Sequence, residues 1–245
     1  MEKNFEYKLE DINNILIKTA WPQIEILTDS ADTIRIMITG DDVSVPSVTV
    51  KEDQGNLNIE QPYLGKNKNL MQGSWMQIML ILPKNYAKPL NVNSALGNCV
   101  ITGYNGEHLK LDFISGDIKL HEIEAKKLSI REVSGDVNAD NISSDSVKLA
   151  NVSGKYLIKD FSFKTLSSNT VSGEQSYYIN NEFDSMDFVT VNSDIDIYQV
   201  YETVDVNIRS VINSATFENV QNKEGSAKIN VSGVNTKIKI GRNIK

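Results

Sequence analysis

Hydrophobic residues alternate with polar residues along most of the chain, the pattern of β-strands that bury one face. The clearest runs in the first third are Ile15/Ile17, Ile24/Ile26, Ile34/Ile36/Ile38, Val48/Val50 and Leu57/Ile59. Residues 61–74 are rich in Gly, Asn and Lys and are predicted to form a loop. No helical periodicity persists over three turns, so the sequence predicts an all-β protein.

A repeat of 19 residues runs through the middle of the chain. Its markers are Gly97, Gly116, Gly135, Gly154 and Gly173, and Ser precedes the last four. Apolar residues recur 2, 4, 7, 12, 14 and 17 positions after each of the first four glycines, with Ser168 as the exception. Ile118, Leu120, Ile123, Leu128, Ile130 and Val133 are one such set. We expect all these columns to point inward.

The period predicts a β-solenoid, a β-helix-like fold with coils of about 19 residues. Coils would stack about 4.8 Å apart, with glycine at a corner where a positive φ carries no steric cost. Asn192–Asp194, Ser214–Ala215 and Ser232–Gly233 are expected to be later corners. The last strand, Thr236–Ile240, alternates Lys with Ile and is expected to be the exposed edge.

We predict a single domain with two parts. Residues 1–90 form an N-terminal β region that caps the solenoid, and residues 91–245 form the repeat coils. The cap is expected because an open end would expose apolar ladders and unpaired backbone.

The repeat resembles a known family. Leu82-Pro83-Lys84, Leu90-Asn91-Val92 and the serial Ser-Gly-Asp corners at 115 and 134 are similar to the bacterial putative-adhesin domain of unknown function. The resemblance spans residues 10–240 and implies an all-β solenoid. It also implies a cell-surface location, since many relatives are secreted or membrane-attached.

Composition excludes several function classes. One Cys and two His rule out a disulfide framework and a multi-cysteine or His-rich metal centre. A net charge of -7 argues against nucleic acid as a partner. The sequence contains no signal-peptide core and no membrane-spanning segment, so the chain as written is expected to be cytoplasmic. We expect no cofactor.

Four tyrosines are the candidate ligand-binding residues. Tyr178 and Tyr198 each lie five positions after a corner, and Tyr177 and Tyr201 are close by. Tyrosine suits binding surfaces because its body is apolar and its tip polar. These residues predict either an aromatic platform for a sugar or protein, or a ladder that only stabilises the sheet.

Asp117 and Asp136 are a weaker candidate, for calcium, because they stack at one corner with Asn98 below and Lys155 above. The favoured alternative is a solvated turn whose Asp accepts local backbone hydrogen bonds. His108 and His121 fall in different columns and are expected to be surface residues. Cys99 lies in an inward column and is expected to be a buried thiol.

No catalytic residues stand out. The sequence therefore favours a non-enzymatic binding or scaffold protein that contacts protein or glycan through flat solenoid faces. Two alternatives remain, a carbohydrate-active β-helix lyase or hydrolase, and an intracellular or envelope-signalling accessory scaffold. Association through the solenoid ends is possible in each case.

Overall fold

The computed structural model describes residues 1–62, 75–224 and 227–243. These residues form sixteen strands, which belong to one continuous sheet. The predicted loop at 61–74 lies outside these residues except for its first two positions. The early strands are β1 (Glu2–Lys8), β2 (Asn14–Thr19), β3 (Gln23–Asp29), β4 (Thr33–Gly40), β5 (Thr49–Asp53), β6 (Asn56–Glu60), β7 (Met76–Pro83), β8 (Leu90–Ser94) and β9 (Cys99–Thr102). The later strands are β10 (Asn105–Ser115), β11 (Ile118–Ser134), β12 (Val137–Ile179), β13 (Ser185–Gln199), β14 (Thr203–Glu218), β15 (Gln221–Asn222) and β16 (Ala227–Arg242). A 3₁₀ turn (Leu9–Asp11) and a short helix α1 (Ser44–Ser47) are the helical segments of the described residues.

Parallel pairing between successive turns of the chain defines a solenoid-like, all-β fold. β10 pairs with β11, and β11 with β12, with Leu109 opposite Leu128 and Leu128 opposite Val147. β12 pairs with β13, where Gly173 lies opposite Ser193. Identical columns therefore stack above one another, and their Ile, Leu, Val and Phe side chains form the core.

Each coil bends at three places, which the burial pattern and backbone angles mark. The first bend holds the repeat glycines, whose φ angles run from +113° at Gly97 to +153° at Gly154. The second, six residues later, again has positive φ, at Gly103, Glu122, Asn141 and Asp160. The third breaks the alternation between Ala125 and Leu128, where two exposed lysines follow each other. Only the first corner is evident from the glycines.

Glycine is required at the first corner because the coils touch there. A Cβ added to Gly154 would lie closer than 3.0 Å to the carbonyl oxygen of Gly135, and one added to Gly173 would meet Gly154 in the same way. The positive φ is a second restriction on any L side chain.

The N-terminal strands extend the sheet beyond the first coil. β2 and β3 pair in parallel with β8 and β9. β6 and β7 add in parallel outside them, and the antiparallel strands β5, β4 and β1 follow. The strands predicted from the early alternating runs are thus present. The division at residue 90 stays a prediction.

The C-terminal strands contradict the expected order of coils. β16 pairs with β13 on one side and with β14 on the other, so the last strand inserts between two earlier ones. The terminal rung is β14, which β15 borders only at its start, and its residues 211–218 are all exposed. The expectation that Thr236–Ile240 is the exposed edge is therefore wrong.

The expected corner at Ser232–Gly233 is wrong as well. Gly233 lies within a strand, opposite Thr190, and the corner position is taken by Thr236, opposite Ser193. Val204 of β14 pairs with Asn222 of β15 on one side and with Ala227 of β16 on the other, so the chain crosses from one side of β14 to the other between β15 and β16.

Candidate functional site

Two outer faces of the coils carry the candidate functional residues. Face A consists of the outward side chains of residues 108–114, 127–133, 146–152, 165–171 and 185–191. Face B consists of those of residues 117–121, 136–140, 155–159, 174–178, 194–198 and 237–241. The two faces meet at the glycine corner.

Tyr178 and Tyr198 form a stacked pair on face B. They are opposite each other in β12 and β13, with ring centroids 4.8 Å apart and ring planes within 15°. Gly241 is opposite Tyr198 on the next strand, and a Cβ there would lie 3.1 Å from the Tyr198 ring. The absence of a side chain at Gly241 lets the Tyr198 ring lie over the backbone. Both rings are partly exposed.

Charged groups surround one end of this pair. Lys239 Nζ lies 5.7 Å from the Tyr198 ring centroid and 2.9 Å from Glu218 Oε1. Hydrogen bonding to Glu218, and then to Tyr198, raises the pKa of Lys239. Partial burial raises the pKa of the nearby Asp196, which the charge of Lys239 opposes. The site thus combines an aromatic ridge with a cation and two carboxylates.

Tyr177 cannot contribute to this surface, which corrects the sequence prediction. Its side chain is fully buried, and its hydroxyl donates to Gln175 Oε1 at 2.6 Å. Gln175 also accepts from Ser168 and donates to Thr170, so the buried polar atoms satisfy one another. Tyr177 lies four positions after Gly173, in the same column as the buried Ile158. This spacing indicates in the sequence that Tyr177 points inward.

Tyr201 is also structural. Its hydroxyl donates to the carbonyl of Phe183 at 2.9 Å and accepts from the Phe183 amide at 2.8 Å. Its ring packs edge-on against Phe183 with centroids 5.3 Å apart. Tyr201 therefore fixes the bend between β12 and β13 and is separate from the stacked pair.

The Asp117 and Asp136 column is a hydrogen-bond ladder. The amide of Asp117 donates to Asn98 Oδ1 at 2.9 Å, that of Asp136 to Asp117 Oδ1 at 3.1 Å, and that of Lys155 to Asp136 Oδ1 at 2.9 Å. The acceptors serve the neighbouring coil, 19 residues away, rather than their own turn as expected. No group of three or more His, Cys, Asp or Glu side chains suited to a metal occurs in the part of the chain that the structure describes.

Cys99 and the two histidines have the burial and the positions that their sequence columns predict. Cys99 is fully buried, and burial raises its pKa to about 12. His121 Nδ1 lies 3.4 Å from Asp140 Oδ2 on face B, whereas His108 lies on face A. The two histidines do not meet.

Sequence reasoning missed an apolar strip on face A. The column 17 positions after each of the first four glycines was expected to point inward, but its members are exposed: Ile114 by 57%, Val133 by 46%, Val152 by 45% and Val171 by 46%. Val191, two positions before the next corner at Ser193, continues this column and is exposed by 48%. Two consecutive outward residues precede each glycine because the strand bends there. The strip lines a groove of about 560 Å³.

Structural comparisons show the same fold in bacterial proteins. A "putative adhesin" from Bacteroides fragilis has 16% identity and a TM-score of 0.60, covering 98% of this chain and 97% of that one. A "putative adhesin" from Parabacteroides distasonis has 14% identity and a TM-score of 0.61, with the same coverage. A "putative lipid binding protein" from that organism has 16% identity and a TM-score of 0.59, covering 97% and 96%.

No curated protein matches the chain. Among the described residues, no helix has the length and apolar character needed to cross a bilayer. The family model of Toastrack DUF4097 matches residues 12–240, which is most of the sequence. The chain belongs to the Toastrack DUF4097 family.

Proposed function

We propose that this protein is a non-enzymatic binding scaffold. Its coils of about 19 residues, capped by the N-terminal strands, hold side chains at fixed spacing on rigid outer faces. The partner is a protein or a glycan, and Tyr178 and Tyr198 are its contact residues. The fold is shared with proteins called adhesins, which agrees with a binding role and does not establish it.

The observation that carries this proposal is the stacked Tyr178–Tyr198 pair beside Lys239. Stacking restricts both rings, so little side-chain entropy is lost when a partner binds. The ring edges and hydroxyls offer apolar contact and hydrogen bonds together. Lys239 and Glu218 add donors and acceptors at the same place.

The arrangement of polar groups favours binding over catalysis. Glycoside hydrolysis by two carboxyl groups requires one that holds its proton and one that is ionised, placed on either side of the bond. Glu218, on the strand beside face B, is paired with Lys239. Burial raises the pKa of Asp196, and the described carboxylates that act on it, Asp194, Glu218 and Glu174, lie on the same side of the sheet rather than across a cleft. A carbohydrate-active enzyme remains the alternative that the experiment must distinguish.

The test is an array of defined neutral and acidic oligosaccharides and glycoproteins, probed with the wild-type protein and with Tyr178→Ala/Tyr198→Ala. We expect binding that the double variant loses. Tyr178→Phe/Tyr198→Phe is the matched control, since it keeps the stacked rings and removes only the hydroxyls. Unchanged binding by the alanine variant would exclude the tyrosine pair as the contact site.

A further inference from the structure

Face A carries an apolar strip next to a cluster of cations, although the protein as a whole is acidic. The exposed strip runs over five successive coils, from Ile114 to Val191, and continues with Val234 of β16 and Val211 of β14. The part from Ile114 to Val191 spans four steps of about 4.8 Å, or about 19 Å, and the two further rungs bring the length to about 29 Å. Contiguous exposed apolar surface of this kind marks a binding site more often than chance exposure does.

The cations are concentrated at the lower coils of the same face. Lys127 and Lys148 are exposed, and among the described residues neither forms an ion pair. Arg131 donates two hydrogen bonds to Asp112, at 2.6 and 3.0 Å, and Lys110 lies 3.1 Å from the same carboxylate. Four cationic side chains and the carboxylate of Asp112 thus lie in this region, which leaves it positively charged.

The ionisation of neighbouring groups agrees with this local charge. Burial lowers the pKa of His108, and the charges of Lys127 and Lys110 lower it further. Burial opposes ionisation of Asp112, but the hydrogen bonds from Arg131 and Lys110 outweigh it and lower its pKa.

Among the described residues, the groove itself has no cation at its upper end. Val171, Val189 and Val191 line the groove there, together with Thr190 and Asn169. The rungs beyond it carry Lys228 and Arg209 together with the carboxylate of Asp205. The surface is therefore polarised along the solenoid axis, with an excess of cations at the lower end and a balance of cations and carboxylates at the upper end, beyond the valines.

We propose that face A binds a single-chain anionic lipid, such as a long-chain fatty acid, with the anionic head at Lys127 and Lys148 and the chain along the valines. An acyl chain spans half of a bilayer core of roughly 30 Å, which the part of the strip from Ile114 to Val191, about 19 Å long, accommodates. This inference goes beyond the proposed function and uses a different face.

A peptide fits this strip less well than an acyl chain does. The strip is the outward face of strands whose backbone groups already pair with the coils above and below. A peptide lying on the valines would leave its own amides without partners, which is costly. An acyl chain has no polar group along its length.

The experiment is calorimetric titration of the wild-type protein with palmitate below its micelle concentration, and with neutral monopalmitoyl glycerol. We expect saturable palmitate binding that weakens as salt is raised, and a neutral analogue that binds less tightly without salt dependence. Absence of palmitate binding would overturn the proposal, and this measurement needs no variant. Binding to phosphatidylglycerol vesicles alone would also overturn it, in favour of a membrane-surface site.

Two double variants separate the head from the chain. Lys127→Glu/Lys148→Glu should weaken palmitate binding by at least about tenfold and leave the neutral analogue unchanged. Val152→Asp/Val171→Asp should abolish binding of both. The matched controls are Lys119→Glu/Lys159→Glu on face B and Val43→Asp, a valine exposed by 53% far from the strip.

All variants change outward side chains, and circular dichroism checks that they fold. Wild-type palmitate affinity in both face A variants would contradict the proposal. Loss of glycan or glycoprotein binding in the tyrosine variant bears only on face B, so the two proposals fail independently.

Discussion

Glu132 lies opposite Asn151 on the next coil, and both side chains are buried without a hydrogen-bond partner among the described residues. Each is only 4% exposed. A buried ionised carboxylate without a partner is costly, so the neutral acid is favoured. Burial, and then the charges of Asp136 and Asp117, raise the pKa of Glu132 to about 7.

This relationship predicts a pH dependence of stability. Between pH 4.5 and about 7 the folded protein keeps the Glu132 proton, whereas the unfolded chain has released it. The folded state binds the extra proton, so the free energy of unfolding falls as pH rises through this window. The shift corresponds to a loss on the order of 3 kcal/mol.

Urea unfolding at several pH values measures this loss, with Glu132→Gln as the comparison. The amide cannot ionise, so the variant should lack the Glu132 contribution and approach or exceed the wild-type stability at pH 7. If both proteins show the same slope between pH 4.5 and 7, Glu132 does not hold a proton in the folded state.

The order of the last strands predicts a difference in amide exchange. β16 bonds to strands on both sides, whereas most of β14 bonds only to β16. Hydrogen-exchange mass spectrometry should therefore show slow exchange in peptides covering 228–242 and faster exchange in those covering 207–218. The opposite order of protection would mean that the chain stacks its coils in simple sequence order.

The corner glycines predict a large cost for a small substitution. In Gly154→Ala, the added Cβ must displace the Gly135 carbonyl, and the alanine must adopt a φ near +153°. We therefore expect the free energy of unfolding to fall by about 2 kcal/mol or more. Ser153→Ala, an exposed neighbour at the same corner, should change stability by less than about 0.5 kcal/mol. Equal denaturant midpoints for the two variants would show that the corner tolerates a side chain.

The hydrogen-bond ladder at that corner predicts a smaller effect. Asp117→Ala removes the acceptor for the Asp136 amide and should cost about 1 kcal/mol. Asp117→Asn keeps an Oδ1 acceptor and should retain most of the stability. A thermal or urea titration compares the three proteins. An asparagine variant as unstable as the alanine variant would mean that charge, rather than hydrogen bonding, is the stabilising factor.

The sequence predicted the features that repeat. Gly116 to Gly173 mark one column at constant spacing, and the inward columns around them follow from alternation, as the burial of Cys99 and Ile118 shows. The second corner carries no fixed residue, since glutamate, asparagine and aspartate all adopt the positive φ there. It is therefore invisible to a search for glycines.

The sequence did not predict the features that depend on which coils become neighbours. Alternation is equally strong in Val204–Ile208 and in Thr236–Ile240, so it cannot show that β16 inserts between β13 and β14. Hydrophobicity also does not show whether a side chain at a bend points inward or outward. Val133 points outward although its column is apolar. The face A groove is therefore not predictable from hydrophobicity, whereas the burial of Tyr177 follows from its column, which it shares with the buried Ile158.

The most direct test of a binding scaffold is to measure retention and turnover together. Wild-type protein and the Tyr178→Ala/Tyr198→Ala variant are incubated with the same panel of oligosaccharides and glycoproteins, and mass spectrometry records bound material and new products. The account predicts a wild-type complex with intact ligand, lost in the variant. New cleavage products, or a complex that the variant retains in full, would contradict it.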